Sequence, residues 1–177
     1  GNTLMDEWIL KHQGADFDMD GAWAASGSVD DALLKAMLED PYFGSPVPKS
    51  TGRELFNLKW LEQFHSTMSS NPEDIQATLV ELSARSIAIG IEQTAPEAES
   101  IYVCGGGAYN KHLMARLKSA AGGRNVASTS TLGIEPDRIE AMAFAWLARQ
   151  TLRGLHGNLP DVTGARKELI LGGIYQA

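Results

Sequence analysis

The chain has 177 residues, a net charge of −7, 44% hydrophobic and 21% charged residues, the profile of a soluble globular protein with one sizeable core. The acidic balance speaks against nucleic acid as a general partner, because phosphate backbones need clustered Lys and Arg, and a single cysteine, Cys104, excludes a disulfide framework and a Cys-based zinc site. No secretory h-region and no apolar run of bilayer length is present, so a cytoplasmic protein with no membrane partner is expected.

The first predicted element is a helix over residues 3–13, with Leu4, Met5, Trp8 and Ile9 at helical spacing, Asn2 or Thr3 as its cap and Gly14 as its stop. Residues 15–24, rich in Asp and Gly, read as loop. A second helix begins near Ser28, where Ser28 and Asp31 have the spacing of a capping box, buries Leu33, Leu34, Met37 and Leu38, and breaks at Pro41. The prolines and glycines of residues 40–54 argue against regular structure there, and an ordered loop of that length is often functional. A short helix is expected over 55–64, then a polar linker over 66–72.

Asn71-Pro72 opens a long helix reaching about Gln93, with Ile75, Leu79, Leu82, Ile87, Ile89 and Ile91 as its apolar positions. A strand over 100–104 carries Cys104 as a small buried hydrophobe. It runs into Gly105-Gly106-Gly107, followed by a helix over 111–119 and a short strand over 125–129. A strongly apolar helix covers 137–153, and a second short apolar run, 169–174, closes the chain. The pattern is helix-rich α/β with fewer strands than a self-contained α/β domain builds.

Several patterns begin like known sites without completing them. Asp16, Asp18, Asp20 and Gly21 open like a calcium loop, but position twelve is Gly27, not the bidentate Glu such a loop needs, so a structural loop is expected. His12, His65, His112 and His156 form no metal-binding spacing, and no G-x-S-x-G elbow supports an esterase. Lys49-Ser-Thr-Gly-Arg-Glu54 lacks the P-loop pattern but sets a cation at each end of a small turn; an anion clamp and a loop latch both stay open. Asn110 stands where a dinucleotide fingerprint needs its third glycine.

Three adjacent glycines at a strand end still exceed what a turn requires. With a helix N-terminus just beyond, they read as backbone contact with a phosphate-bearing ligand. Glu140, in the first turn of its helix, is either a dipole-favoured carboxylate or a ligand for sugar hydroxyls.

Taken together, Gly1-Asn-Thr-Leu-Met-Asp6, Asp20-Gly21, Asp40-Pro-Tyr-Phe43, Lys49-Ser-Thr-Gly-Arg-Glu54 with Phe56-Asn57, Val103-Cys-Gly-Gly-Gly-Ala108 with Asn110, Glu140-Ala141 with Phe144-Ala-Trp-Leu-Ala148, and Gly157-Asn-Leu-Pro-Asp-Val-Thr-Gly-Ala165 resemble the anhydro-N-acetylmuramic acid kinases. The resemblance implies a two-lobed, actin- and hexokinase-like (ribonuclease H-like) ATPase fold. Residues 1–177 would be its C-terminal lobe, the N-terminal lobe being absent, and a homodimer is suggested. It implies ATP and Mg²⁺ as cofactors and the 1,6-anhydro amino sugar of peptidoglycan recycling as small-molecule substrate, phosphorylated on O6 while water opens the anhydro bridge.

On this resemblance Gly1 and Asn2 approach the phosphates, and Gly105, Gly106, Gly107 and Asn110 face the adenosine and α-phosphate side of ATP. Glu140 holds the sugar, and residues 49–53 line the cleft or touch the other lobe. The Asp that acts as base would lie four residues before Gly1, so no catalytic residue is expected on this chain and the 177 residues alone are expected to be inactive. A non-catalytic nucleotide-binding module of the same superfold is the alternative, and a scaffold whose glycines serve only a turn is a third reading.

Overall fold

The structure, a computed structural model, describes residues 2–64 and 71–175. Gly1, His65 and most of the expected 66–72 linker lie outside the described residues.

Helix α6, Pro72–Thr94, is the spine. Proline in its first turn costs no hydrogen bond, and Glu73 and Asp74 suit the positive end of the helix dipole. Its first half, from Ile75 to Ala84, is buried apart from Ser83, and helices α1 (Thr3–Gln13), α2 (Ala22–Ser26), α3 (Asp31–Leu38) and α7 (Lys111–Ala120) all pack against it. Leu33, Leu34, Met37, Leu61, Leu79, Val80 and Leu117 make the innermost layer of one core. Trp8 stays at its edge because its indole N–H donates to the Pro72 carbonyl at 2.8 Å.

The sheet has two described strands, β1 (Ser100–Val103) and β2 (Asn125–Ser128). They pair in parallel, Ser100 against Asn125 through Val103 against Ser128, with α7 as the crossover. The helix-rich α/β reading therefore stands.

Local departures from expectation have visible causes. Residues 22–26 are helical rather than loop, because the buried Asp18 carboxylate accepts from the N–H groups of Trp23 and Ala24, both at 2.9 Å. The cap of α3 is Asp30, accepting from Ala32 and Leu33; Ser28 instead donates its N–H to Asp74 at 2.7 Å. The proline-rich segment contains one helical turn, α4 (Pro41–Gly44), because Asp40 caps it and Pro41 sits where its missing N–H is harmless. Helix α5 covers only Leu58–Glu62, since Asn57 caps it.

Strand β1 stops at Val103, and Cys104 is exposed rather than a buried hydrophobe. Ile87 and Ile89 are exposed on the outer half of α6. Helix α8 (Ile139–Leu152) is apolar as expected but has no buried residue. Phe144 is 65% exposed, and the 169–174 run forms no helix or strand.

Glu81 ties the spine to α7. It is 3% exposed, and it accepts from Arg85 Nε at 2.7 Å and Arg116 Nε at 2.6 Å. Burial alone would raise its pKa, but the bonds from Arg116 and Arg85 outweigh that and hold it below the usual glutamate value. A depressed carboxylate stabilises the fold fully above its unfolded-state pKa, and that contribution drains as pH falls through the native one. Glu81→Gln should therefore cost about 2–4 kcal/mol in urea unfolding at pH 7. The gap to wild type should close as pH drops below the carboxylate range.

Candidate functional site

The glycine turn sits at the carboxyl end of β1, where open parallel sheets place ligand crevices. Gly105 has φ +75 and ψ −175, a conformation only glycine adopts readily, and its N–H donates to the Pro136 carbonyl at 2.9 Å. A single 3-10 turn, Gly106–Tyr109, follows and delivers Asn110 to the start of α7. There the Asn110 carboxamide oxygen accepts from the Leu113 N–H at 2.9 Å, so this residue is the cap of α7.

Asn2, before the first turn of α1, lies against the same glycines. A Cβ built on Gly107 would stand 3.2 Å from its Oδ1, and one on Gly106 would meet only its Nδ2, at 3.7 Å. The structure thus brings together Asn2, Gly106, Gly107 and Asn110, with Gly105 fixing the turn. Glu140 is connected more loosely: it begins α8, just after the Pro136–Arg138 turn that Gly105 holds, and its side chain is exposed.

A cavity of about 360 Å³ opens between Asn2, Asp6, the 16–20 loop, Gly106, Tyr109 and Asn110. Four carboxylates line it, but two are engaged: Asp18 caps α2, and Asp20 pairs with Lys111 at 2.9 Å. Asp6 has its pKa raised, chiefly by burial. Among the described residues no group of three or more acids, His or Cys converges to hold a metal.

A second cavity, about 740 Å³, lies between residues 42–56 and the outer half of α6. Thr3 and Leu4 reach it, whereas Asn2, Met5 and Asp6 reach the smaller one, so the first turn of α1 contributes to both. Its wall is ordered by an aromatic chain, Tyr42, Phe43, Phe56, Trp60 and Phe64, with successive ring contacts. The indole N–H of Trp60 donates to Asp40 at 2.8 Å. Neither cavity is lined by Glu140.

The two readings of residues 49–53 divide between its cations. Lys49 Nζ donates to the carbonyls of Tyr42, Phe43 and Ser45 at 2.9, 2.9 and 3.0 Å, a latch on the preceding loop. Arg53 lines the larger cavity.

One supporting residue escaped the reading of the sequence as a site feature. Asp20 and Gly21 both have positive φ, +56 and +72, and a Cβ on Gly21 would stand 2.2 Å from Asn110 Oδ1 and 2.6 Å from His112 Cβ. Its absent side chain is what lets the acidic loop close on the cap of α7; the Asp-Gly pair was its signal. Gly21→Ala should destabilise by about 2–4 kcal/mol through clash and backbone strain, and Asn110→Ala by about 1 kcal/mol through the lost cap. Thermal unfolding of the double variant should show less than the sum, because the nearer of the two clashing atoms is gone.

The family described as "Anhydro-N-acetylmuramic acid kinase" matches over residues 1–177. A protein of that name from Coxiella burnetii (strain RSA 493 / Nine Mile phase I) is 51% identical over 175 residues, covering 99% of this chain and 47% of the relative. One from Pseudomonas paraeruginosa (strain DSM 24068 / PA7) is 52% identical over 181 residues, 100% of this chain and 49% of the relative. One from Shewanella loihica (strain ATCC BAA-1088 / PV-4) is 52% identical over 176 residues, 99% and 47%. The chain spans about half the length of the curated relatives it matches, and it belongs to the anhydro-N-acetylmuramic acid kinase family.

Proposed function

We propose that these residues form the C-terminal lobe of a two-lobed, actin- and hexokinase-like sugar kinase. It would use ATP and Mg²⁺ to phosphorylate O6 of 1,6-anhydro-N-acetylmuramic acid while water opens the anhydro bridge, giving N-acetylmuramic acid 6-phosphate. The observation that carries this reading is the seating of Asn2, at the start of α1, on Gly106 and Gly107. It sets the N-terminus of an eleven-residue helix beside a strand-end turn made of glycines.

The smaller cavity suits the nucleoside end of ATP. Its carboxylates accept from ribose hydroxyls, Gly106 allows close approach, and Asn110 fixes the turn. The phosphates would then extend toward the N–H groups of α1, with Gly1 and Asn2 beside them. ATP supplies the transferable phosphoryl group; what this chain does is bind, orient and screen it. Mg²⁺ would be held mainly by nucleotide phosphates and water, as is usual for this ion. Glu140 would hold the sugar from the start of α8, and no residue of this chain is assigned as the base. The protein would work as a homodimer. Among the described residues no helix is long and apolar enough to cross a membrane.

The test is turnover by the full-length protein. Incubation with ATP, Mg²⁺ and the anhydro sugar should yield the 6-phosphate, and no product would overturn the proposal. Gly106→Val separates ligand contact from folding. A Cβ there meets only Asn2 Nδ2, at ordinary contact distance, so the melting temperature should move by no more than about 2 °C. The KM for ATP should nevertheless rise at least about tenfold, because the side chain fills the approach to the backbone.

A further inference from the structure

His112 is a half-buried titratable group that the site described above does not use: it lines neither cavity. It stands two residues after the Asn110 cap, where the acidic loop closes on α7. The closure is tight. A Cβ on Gly21 would stand 2.6 Å from His112 Cβ, so the backbone of the turn rests on the base of this side chain.

Charged groups act on the imidazole from every element packed around it. Arg116 follows it by one turn on α7, Glu81 acts from α6, and Asp18 from the acidic loop. Lys111, its neighbour on α7, pairs with Asp20 at 2.9 Å. Both nearby acids are already engaged, Asp18 with the N–H groups of Trp23 and Ala24, and Glu81 with Arg85 and Arg116. Burial, and after it Arg116, disfavour the imidazolium more than Asp18 and Glu81 favour it, so the His112 pKa lies below the ordinary histidine value. A histidine held neutral by the fold supports its packing fully above that ordinary value. The support drains as pH falls below it and is gone beneath the lower, folded one.

We propose that His112 is a pH-sensitive wedge between α7 and the acidic loop. Neutral, it lets Gly21 seat on the cap of α7 and keeps the smaller cavity closed. Protonated, it drives the loop away, and the affinity for ATP falls; this consequence rests on the kinase reading above. The loop is the part that yields. Arg116 is fixed by Glu81 at 2.6 Å, whereas the ion pair tying the loop to α7 is exposed and therefore weak. Lifting the loop carries Asp16 and Asp20 out of the cavity wall.

The experiment compares the full-length wild type with His112→Gln, which stays neutral, and His112→Arg, which stays charged, between about pH 8 and about pH 5.5, the range in which histidine changes charge. Titration of ATP and of Asp6 is common to all three, so the ratios between proteins isolate His112. At the alkaline end wild type and His112→Gln should share one KM for ATP, and that of His112→Arg should be about fivefold higher, the lower end of usual coupling between sites. At the acid end wild type should have moved toward the His112→Arg value while His112→Gln stays behind, and the KM for the sugar should not separate the three. Hydrogen exchange at the Trp23 and Ala24 amides, both bonded to Asp18, reads the loop without turnover. It should quicken in wild type relative to His112→Gln at the acid end only.

Wild type and His112→Gln with the same KM and the same exchange at every pH would overturn the proposal, whether or not His112→Arg folds. A KM that separates them without a change in exchange would overturn the loop as the moving part. Exchange that follows the expectation in a protein that phosphorylates no sugar supports the wedge and overturns the kinase reading alone.

Discussion

The buried carboxylate of Glu81, gripped by Arg85 on its own helix and Arg116 on α7, is the contact on which the site geometry hangs. Helix α6 supplies one wall of the larger cavity, and α7 begins at Asn110, beside the glycine turn. Any sliding of one helix past the other would move the two cavities relative to each other. An apolar contact resists separation but is tolerant of small slides, whereas two short charge-assisted bonds to one buried carboxylate define both spacing and rotation. Leu113 and Leu117 then fill the core beneath.

The first turn of α1 is the second organising feature. Its residues divide between two cavities of opposite charge, and among the described residues no side chain caps it. The surroundings explain why the turn is so placed. Leu4, Met5, Trp8 and Ile9 anchor the helix in the core, and Glu7 accepts from the Leu58 N–H at 3.2 Å, tying it to α5 and thus to the aromatic wall.

Glycine plays different physical roles within a few ångströms of the site. At Gly105 the backbone angles demand it, at Gly21 a neighbouring side chain does, and at Gly106 neither does. A position where a side chain would be tolerated by the fold but intrude on the cavity is the signature expected of contact with a ligand rather than of turn formation. Of the readings left open for the three glycines, contact with a ligand is the one this favours.

The sequence by itself determined the helices with strong periodicity or clear caps, α1, α6 and α7, the two short strands, the glycine turn, and, through the joint occurrence of its motifs, the family. These are local or composition-level properties, set by 3.6-residue spacing, by proline and asparagine at helix starts, and by glycine at strand ends. Tertiary structure decided what local pattern could not. Asp18 became a helix cap and Glu81 an interhelix clamp because of partners brought near by folding. Ile87, Phe144 and Cys104 are exposed although their residue types favour burial, since periodicity marks an apolar face without naming what covers it. The division of Lys49 and Arg53 into a latch and a cavity-lining cation likewise rests on where three carbonyls and one cavity lie in space, which no spacing along the chain encodes.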